Sequence, residues 1–344
     1  MRLVSTALAA ITFVGVGARL LPLGLSALPG LAVVVSATPW YALTAAAALV
    51  LTLAGGGRRP RRKRMRRRAC TLALCACLAL ELTWQAPFFS HAFAQAGGAS
   101  GSAAAAGETA GAATLRVMTC NVYKGAADPA QIVELVRSEG VQVLTLQETT
   151  KDFVAQLEAL GLDELLPYSE RSSSDGVYGN GVWSALPLAN TASDDIGSSA
   201  SAMPAGTVTV SDGTANYNLR FVSVHTCAPV AGYWDLWRKS IEEIGVVRSR
   251  LAEDASTRYV LMGDFNATYD HAPFRAMLGS TLTDAARQAG EGLTFSWPTN
   301  QLVPAFCGID HVVVSPGITA SALRAHRVSG SDHAALVATL TISQ

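Results

Sequence analysis

At 344 residues the chain has room for one large domain or two ordinary ones, and its formal charge of zero hides a strong asymmetry. Residues 58–68, "RRPRRKRMRRR", carry nine basic side chains in eleven, whereas Thr114 to Gln344 holds 15 Lys+Arg against 24 Asp+Glu, a net of −9. A single uniform environment for the whole chain is thereby excluded.

Leu3 to Leu23, Leu31 to Ala54 and Ala69 to Phe89 are apolar runs broken only by Arg19, Pro39, Glu81 and small polar residues. Each comes close to the 20 or so residues that cross a bilayer core. Residues 1–94 therefore read as a membrane region with about three transmembrane helices, at 3–23, 31–54 and 69–89. A cleaved signal peptide is the alternative for the first run. Basic residues stay on the cytoplasmic side, so the loop 58–68 is expected inside and everything beyond about residue 90 outside, in a multi-pass cell-membrane protein with an extracellular domain. Contact of the loop with anionic lipid headgroups is also expected. Residues 95–113, "QAGGASGSAAAAGETAGAA", have almost nothing to bury and read as a flexible linker. Ala92-Phe93-Ala94 resembles a signal-peptidase site, so release of the domain by cleavage is the minority alternative.

Cys70, Cys75 and Cys77 lie in the third apolar run. Of the three outer thiols, Cys227 and Cys307 could pair in an oxidising compartment and leave Cys120 over. Neither a disulfide framework nor a metal-type cysteine spacing is present.

In residues 114–344 strands and helices alternate. "TLRVMTCN" is a strand running into Asn121. Asp128-Pro129 then caps a helix that Gly140 ends. "VQVLTLQE" finishes on Glu148, and "GNGVWSALP" is a third strand. "GTVTVSDGTANYNLRFVSVHT" is a hairpin whose second strand ends at His225. Trp234 to Ala252 reads as one amphipathic helix, and "YVLMGDFN" delivers Asp264 and Asn266 at a strand end. In "GIDHVVVS" and "SDHAALVATL" the order reverses, with Asp310, Asp332 and His333 ahead of their strands. If those two strands run antiparallel to the others, Asn121, Glu148, His225, Asp264, Asn266, Asp310 and His333 meet on one edge of a mixed-sheet core. His311 points to the opposite face from Asp310 and reads as structural. His271 and His326 read as loop or surface positions.

The residue types narrow the chemistry. No G-x-S-x-G nucleophile context and no glycine-rich phosphate loop occurs. A glutamate among amides and carboxylates suits a hard ion, Mg²⁺ or Mn²⁺. Two histidines beside carboxylates suit acid–base work. Together they describe hydrolysis of a phosphate ester by water.

The ordered set "CNVYKG", "LQET", "GNGVWSALPL", "VSVHT", "GDFNAT", "GIDHVVVS" and "GSDHAAL" resembles the endonuclease/exonuclease/phosphatase superfamily, the DNase I-like fold, over essentially all of 114–344. The resemblance implies an α/β four-layer sandwich of two mixed β-sheets flanked by helices, here preceded by transmembrane helices. It implies that Glu148 binds the divalent metal with Asn121 beside it; Asp332 reads as a turn or metal-shell residue rather than the base. It implies that Asp264 orients or deprotonates water, that Asn266 holds the phosphate and that Asp310 orients His333. His225 matches a phosphate-contacting histidine. Family members place an acidic partner for it near the start of the "GNGVWS" strand, where this chain has Asn180, expected at the substrate.

The expected activity is that of a membrane-anchored, outward-facing, divalent-metal-dependent phosphoesterase. Its expected partners are the lipid bilayer and a phosphoester substrate, lipid or envelope component. An extracellular nuclease acting on nucleic acid is the alternative. A catalytically inactive binding domain on a membrane stalk is the alternative from another class.

Overall fold

The computed structural model describes residues 2–55, 61–91 and 112–343. Most of the expected linker, the Ala92-Phe93-Ala94 site and residues 58–60 lie outside the described residues.

The N-terminal region is helical, with boundaries that differ from the hydropathy reading. The first helix is Arg2–Leu20. The second apolar run is two helices, Leu31–Ser36 and Thr38–Ala54, separated at Ala37 with Pro39 in the first turn of the longer one. Proline lacks the N–H that would continue the preceding turn, so the break falls there. The basic stretch is not a loop from Arg61 onward. It forms the first turns of the helix Arg61–Gln85, because Arg and Lys are good helix formers and nothing in the run breaks the backbone. Two segments among the described residues, Leu3–Leu20 and Arg61–Phe89, are long and apolar enough to cross a membrane, and Thr38–Ala54 is a shorter apolar helix.

Twelve strands follow: β1 (Ala113–Asn121), β2 (Val143–Gln147), β3 (Tyr168–Arg171), β4 (Asn180–Ser184), β5 (Ala189–Ala192), β6 (Ala205–Ser211), β7 (Asn216–His225), β8 (Thr257–Asp264), β9 (Thr283–Asp284), β10 (Asp310–Val314), β11 (Ile318–Arg327) and β12 (Ala334–Ile342). They form two six-stranded sheets, ordered β11-β12-β1-β2-β4-β3 and β5-β6-β7-β8-β10-β9. Both are mixed. β1 and β2 run parallel while β12 is antiparallel to β1, and β7 and β8 run parallel while β10 is antiparallel to β8. The expected reversal of the last two site strands is therefore present.

Period-2 alternation gives each central strand two apolar faces. Val117, Val143, Leu219, Phe221, Val260, Met262 and Val312 pack between the sheets. Met118, Leu144 and Leu146 face the helices Pro129–Ser138 and Lys151–Ala159. Val222, Val224, Leu261 and Val313 face Trp237, Ile241 and Phe274. Helix, sheet, sheet, helix gives the four layers.

Further local features depart from the sequence reading, and the short strands β3, β5 and β9 were not expected. The helix expected over 234–252 is two helices, Trp234–Glu243 and Val246–Glu253, that break at Ile244-Gly245. β11 was not expected: Ala322 (φ 50°) sits in a register shift between Ser321 and Arg324, which breaks the alternation that marks a strand. All six cysteines are free thiols, Cys227 and Cys307 included.

Phe221 is fully buried between the sheets. Phe221→Ala is expected to lower stability by about 3–5 kcal/mol, because a ring-sized cavity in a two-sheet core cannot collapse. Urea unfolding of the full chain in detergent, followed by circular dichroism, checks this. An unchanged midpoint would contradict the inter-sheet packing.

Candidate active site

The sheet register brings the polar strand ends together. Asp264 pairs with His225 across β8–β7 and with Asp310 across β8–β10, and Asn121 pairs with Gln147 across β1–β2. Inter-sheet packing then sets the β1–β2 end against the β7–β8–β10 end.

Asp264 is the hub. Its Oδ2 accepts from Asn121 Nδ2 at 3.1 Å and Asn266 Nδ2 at 3.3 Å, and its Oδ1 accepts from the Asn266 backbone N–H at 2.8 Å. Two imidazoles flank it, His225 Nε2 at 3.8 Å and His333 Nε2 at 3.7 Å. Asn121 Nδ2 also donates to Glu148 Oε1 at 3.2 Å, and the Lys124 N–H donates to Glu148 Oε2 at 3.0 Å. Glu148 Oε1 lies 3.9 Å from His225 Nε2. His333 Nδ1 is 2.8 Å from Asp310 Oδ2, which fixes the ring with Nε2 directed at Asp264. Asp332 accepts from Trp297 Nε1 at 3.3 Å, and its Oδ1 lies 3.8 Å from His333 Nε2. Asn266 Nδ2 also donates to the Thr226 carbonyl at 2.9 Å.

Eight of the nine residues expected at the site thus form one connected cluster. Asn180 stands apart from this hydrogen-bonded set: its buried amide donates to the Ala202 carbonyl at 2.7 Å and to Ser201 Oγ at 3.3 Å. No carboxylate is provided from that position.

Backbone strain concentrates here. Tyr123 (φ 48°), Lys124 (φ 55°), Glu148 (φ 59°) and Asn266 (φ 47°) are four of the six non-glycine residues with positive φ among those described. Such conformations cost on the order of 1–3 kcal/mol each and persist only where surrounding structure holds them.

Burial and charge set the protonation states. Burial raises the pKa of Asp264, and the neighbouring imidazoles only partly oppose it. Burial likewise raises Glu148 against the hydrogen bond from Asn121. Burial lowers His225, outweighing the attraction of Asp264. His333 goes the other way: burial disfavours its charge, but the carboxylates of Asp310 and Asp264 outweigh that and raise its pKa well above the ordinary histidine value. One imidazole is held neutral and the other charged, on opposite sides of one carboxylate.

The donor set fits a hard divalent cation. Ligand atoms of Asp264, Asp310 and His333 lie within 4.8 Å of one another. Asp310 Oδ1 and Asp332 Oδ1 are buried acceptors with no protein donor, which a cation would satisfy. This grouping sits on the Asp264–His333 side, whereas the ligands expected from sequence begin at Glu148 and Asn121.

Several supporting residues escaped the sequence reading. Thr145 Oγ1 donates to Thr119 Oγ1 at 2.8 Å, and Gln147 Nε2 donates to Ser223 Oγ at 3.0 Å. The first contact links neighbouring strands of one sheet, and the second joins the two sheets beneath the cluster. Ser331 Oγ donates to the Asn121 carbonyl and accepts from the His333 N–H, at 2.7 and 2.9 Å. A signal existed: Thr119, Thr145 and Ser223 each lie two residues before Asn121, Gln147 and His225, on the same strand face.

Comparison with known proteins agrees with this architecture. No curated protein sequence matches the chain. Among solved structures, D. rerio TDP2 humanized by 14 mutations superposes with a TM-score of 0.54 at 17% identity, covering 66% of this chain and 98% of that one. D. rerio TDP2 complexed with single strand DNA product gives 0.52 at 16% identity, over 66% and 99%. An endonuclease/exonuclease/phosphatase family protein from Bacteroides thetaiotaomicron gives 0.50 at 14% identity, over 68% and 99%. The sequence model of the endonuclease/exonuclease/phosphatase family matches residues 118–333, so the chain belongs to that family of hydrolases acting on ester bonds.

Proposed function

We propose that this chain is a membrane-anchored, outward-facing phosphoesterase that cleaves a phosphate ester by water attack in the cluster around Asp264. The observation that carries the reading is the convergence of a buried His333–Asp310 pair, a neutral His225 and an orphaned-carboxylate group on one hub carboxylate. A divalent cation, Mg²⁺ or Mn²⁺, held by Glu148, Asn121 and Asp332, with the donor-free oxygen of Asp310 close by, would supply charge neutralisation at the phosphoryl oxygens.

The chain's own residues supply the rest. Asp264, with its raised pKa, is poised to orient a water and accept its proton near neutral pH. His333, kept charged by Asp310, faces the same point and offers a proton or a positive charge to the departing oxygen. His225, kept neutral by burial, presents Nε2 toward Asp264 and Glu148. Asn266 can exchange its longer bond, 3.3 Å to Asp264, for a phosphate oxygen.

Membrane attachment is supported by an apolar surface on the N-terminal helices that no protein covers, including Leu3, Val14, Leu43, Val50, Leu72 and Leu82. The helix Thr38–Ala54 would span about 26 Å at 1.5 Å per residue, close to a hydrocarbon core. The outward orientation is supported by which helix ends meet the catalytic domain. Arg19, Trp40 and Gln85 do so, and the basic residues from Arg61 to Arg68 lie at the other end. With the domain's net charge of −9, these features favour a small or membrane-borne phosphoester. Exposed Tyr123, Leu302 and Val303 on loops leaving the cluster fit an amphiphilic substrate. The nuclease reading draws on the single strand DNA product in the D. rerio TDP2 complex.

Glu148→Gln is expected to abolish Mg²⁺-dependent hydrolysis while leaving the circular dichroism spectrum unchanged. Wild-type turnover at limiting Mg²⁺ would refute its role at the metal.

His333→Ala and Asp264→Ala should each lower kcat by at least about 10²-fold, with Asp310→Asn milder because it orients rather than reacts. Near-wild-type rates in His333→Ala would remove the dyad from the mechanism.

Competition decides the substrate. With duplex DNA and a phospholipid-type diester presented together at physiological salt with Mg²⁺, the lipid-type diester is expected to show the higher kcat/KM. Preference for DNA by about tenfold or more would establish the nuclease instead.

A further inference from the structure

The N-terminal helices do more than tether. They grip two segments that carry site residues.

The first segment runs from Asn266 to His271. Arg19 Nε donates to Asp270 Oδ1 at 2.6 Å, with side chains only 8% and 4% exposed, and Gln85 Nε2 donates to Asp270 Oδ2 at 3.4 Å. His271 was expected at the surface but is buried. Its Nδ1 accepts from the Thr268 N–H at 2.8 Å, so the proton lies on Nε2, which donates to the Ala32 carbonyl at 2.9 Å. Burial pushes its pKa down to about 4, which keeps that tautomer neutral. The ring meets Trp237 edge-on at 5.2 Å, and Trp237 Nε1 donates to the Asn266 carbonyl at 2.9 Å. A continuous set of contacts therefore joins the helix Arg2–Leu20 and the helix Leu31–Ser36 to the backbone of Asn266, which is itself held in the left-handed region.

The second segment runs from Phe295 to Asp310. Trp40 stacks on Phe295 with ring centroids 5.4 Å apart and donates through Nε1 to the Phe306 carbonyl at 2.9 Å. Within that segment Ser296 Oγ accepts from the Asp310 N–H at 3.2 Å, and Trp297 holds Asp332.

We propose that the helical anchor is a working part of the catalytic unit, with Arg19, acting through Asp270, as a positioning residue for Asn266, and Trp40 as its counterpart for the segment that leads to Asp310. A buried ion pair suits this role because it fixes one geometry: neither charge can be left without the other. The effect on turnover rests on the phosphoesterase reading, whereas the docking does not.

The test uses the full chain in detergent micelles with Mg²⁺ and bis(p-nitrophenyl) phosphate, a soluble diester whose delivery needs no membrane. Arg19→Met combined with Asp270→Asn removes both charges together, so neither partner of the pair is left buried without the other. Expected are amide exchange over 266–271 faster by about tenfold and kcat lower by about tenfold, with KM within about twofold. Arg19→Lys, which keeps the charge, should hold both within about threefold of wild type. Trp40→Ala should speed exchange over 295–308 with a parallel fall in kcat. Unchanged exchange in the double variant would overturn the docking. Faster exchange with unchanged kcat would overturn the positioning role. A wild-type chain inert toward both bis(p-nitrophenyl) phosphate and p-nitrophenyl phosphate would remove the phosphoesterase reading, and the exchange result would still decide the docking.

Discussion

A carboxylate taken out of water must be paired, and Asp264 is 2% exposed. Most of the site can be derived from that constraint. Its oxygens need donors, and Asn121 and Asn266 supply them. Its negative charge needs compensation, and two imidazoles stand within 4 Å. One of those imidazoles is charged because Asp310 stands behind it and Asp264 in front, and Asp310 in turn keeps one oxygen without a protein donor. The chain of compensation ends at carboxylate oxygens that a cation would satisfy. A set of side chains left unsatisfied in that way is organised around its ligand.

The strand ends were readable because the polar residues interrupt strongly apolar runs. "VLMGDFN", "FVSVHT" and "LTLQET" each mark where burial stops and chemistry starts. Reversal of direction in "GIDHVVVS" and "GSDHAAL" was readable for the same reason. What could not be read depends on contacts between distant segments. The burial of His271 comes from Ala32, 239 residues earlier, and no local pattern near His271 announces it. The commitment of Asn180 to Ala202 depends on how the loop after β5 passes β4. β11 hides because a bulge interrupts its alternation, and the break at Gly245 hides because the apolar spacing continues across it. Local periodicity shows where an element lies, while tertiary packing decides where a side chain is used.

The two parts of the chain differ sharply in charge yet share an interior. Phe88, from the end of the last N-terminal helix, packs edge-on against Tyr269 at 5.7 Å and joins the same core cluster as Phe221 and Val260. Ala32 joins the cluster around Trp237. Two cores of the sandwich are therefore completed by residues that precede β1 by many positions in sequence. A boundary drawn at residue 114 on composition alone would cut through both.

The helix Arg61–Gln85 begins with seven basic residues among its first eight and has no acidic residue in its first turn. The free N–H groups there carry the positive end of the helix macrodipole, so the cationic side chains repel the backbone that bears them as well as one another. These turns are the weakest of the helix in dilute buffer. Added salt firms them by screening, and a layer of negative counter-charge firms them more. Winding of this segment is thus tied to the ionic character of whatever surface lies beneath it.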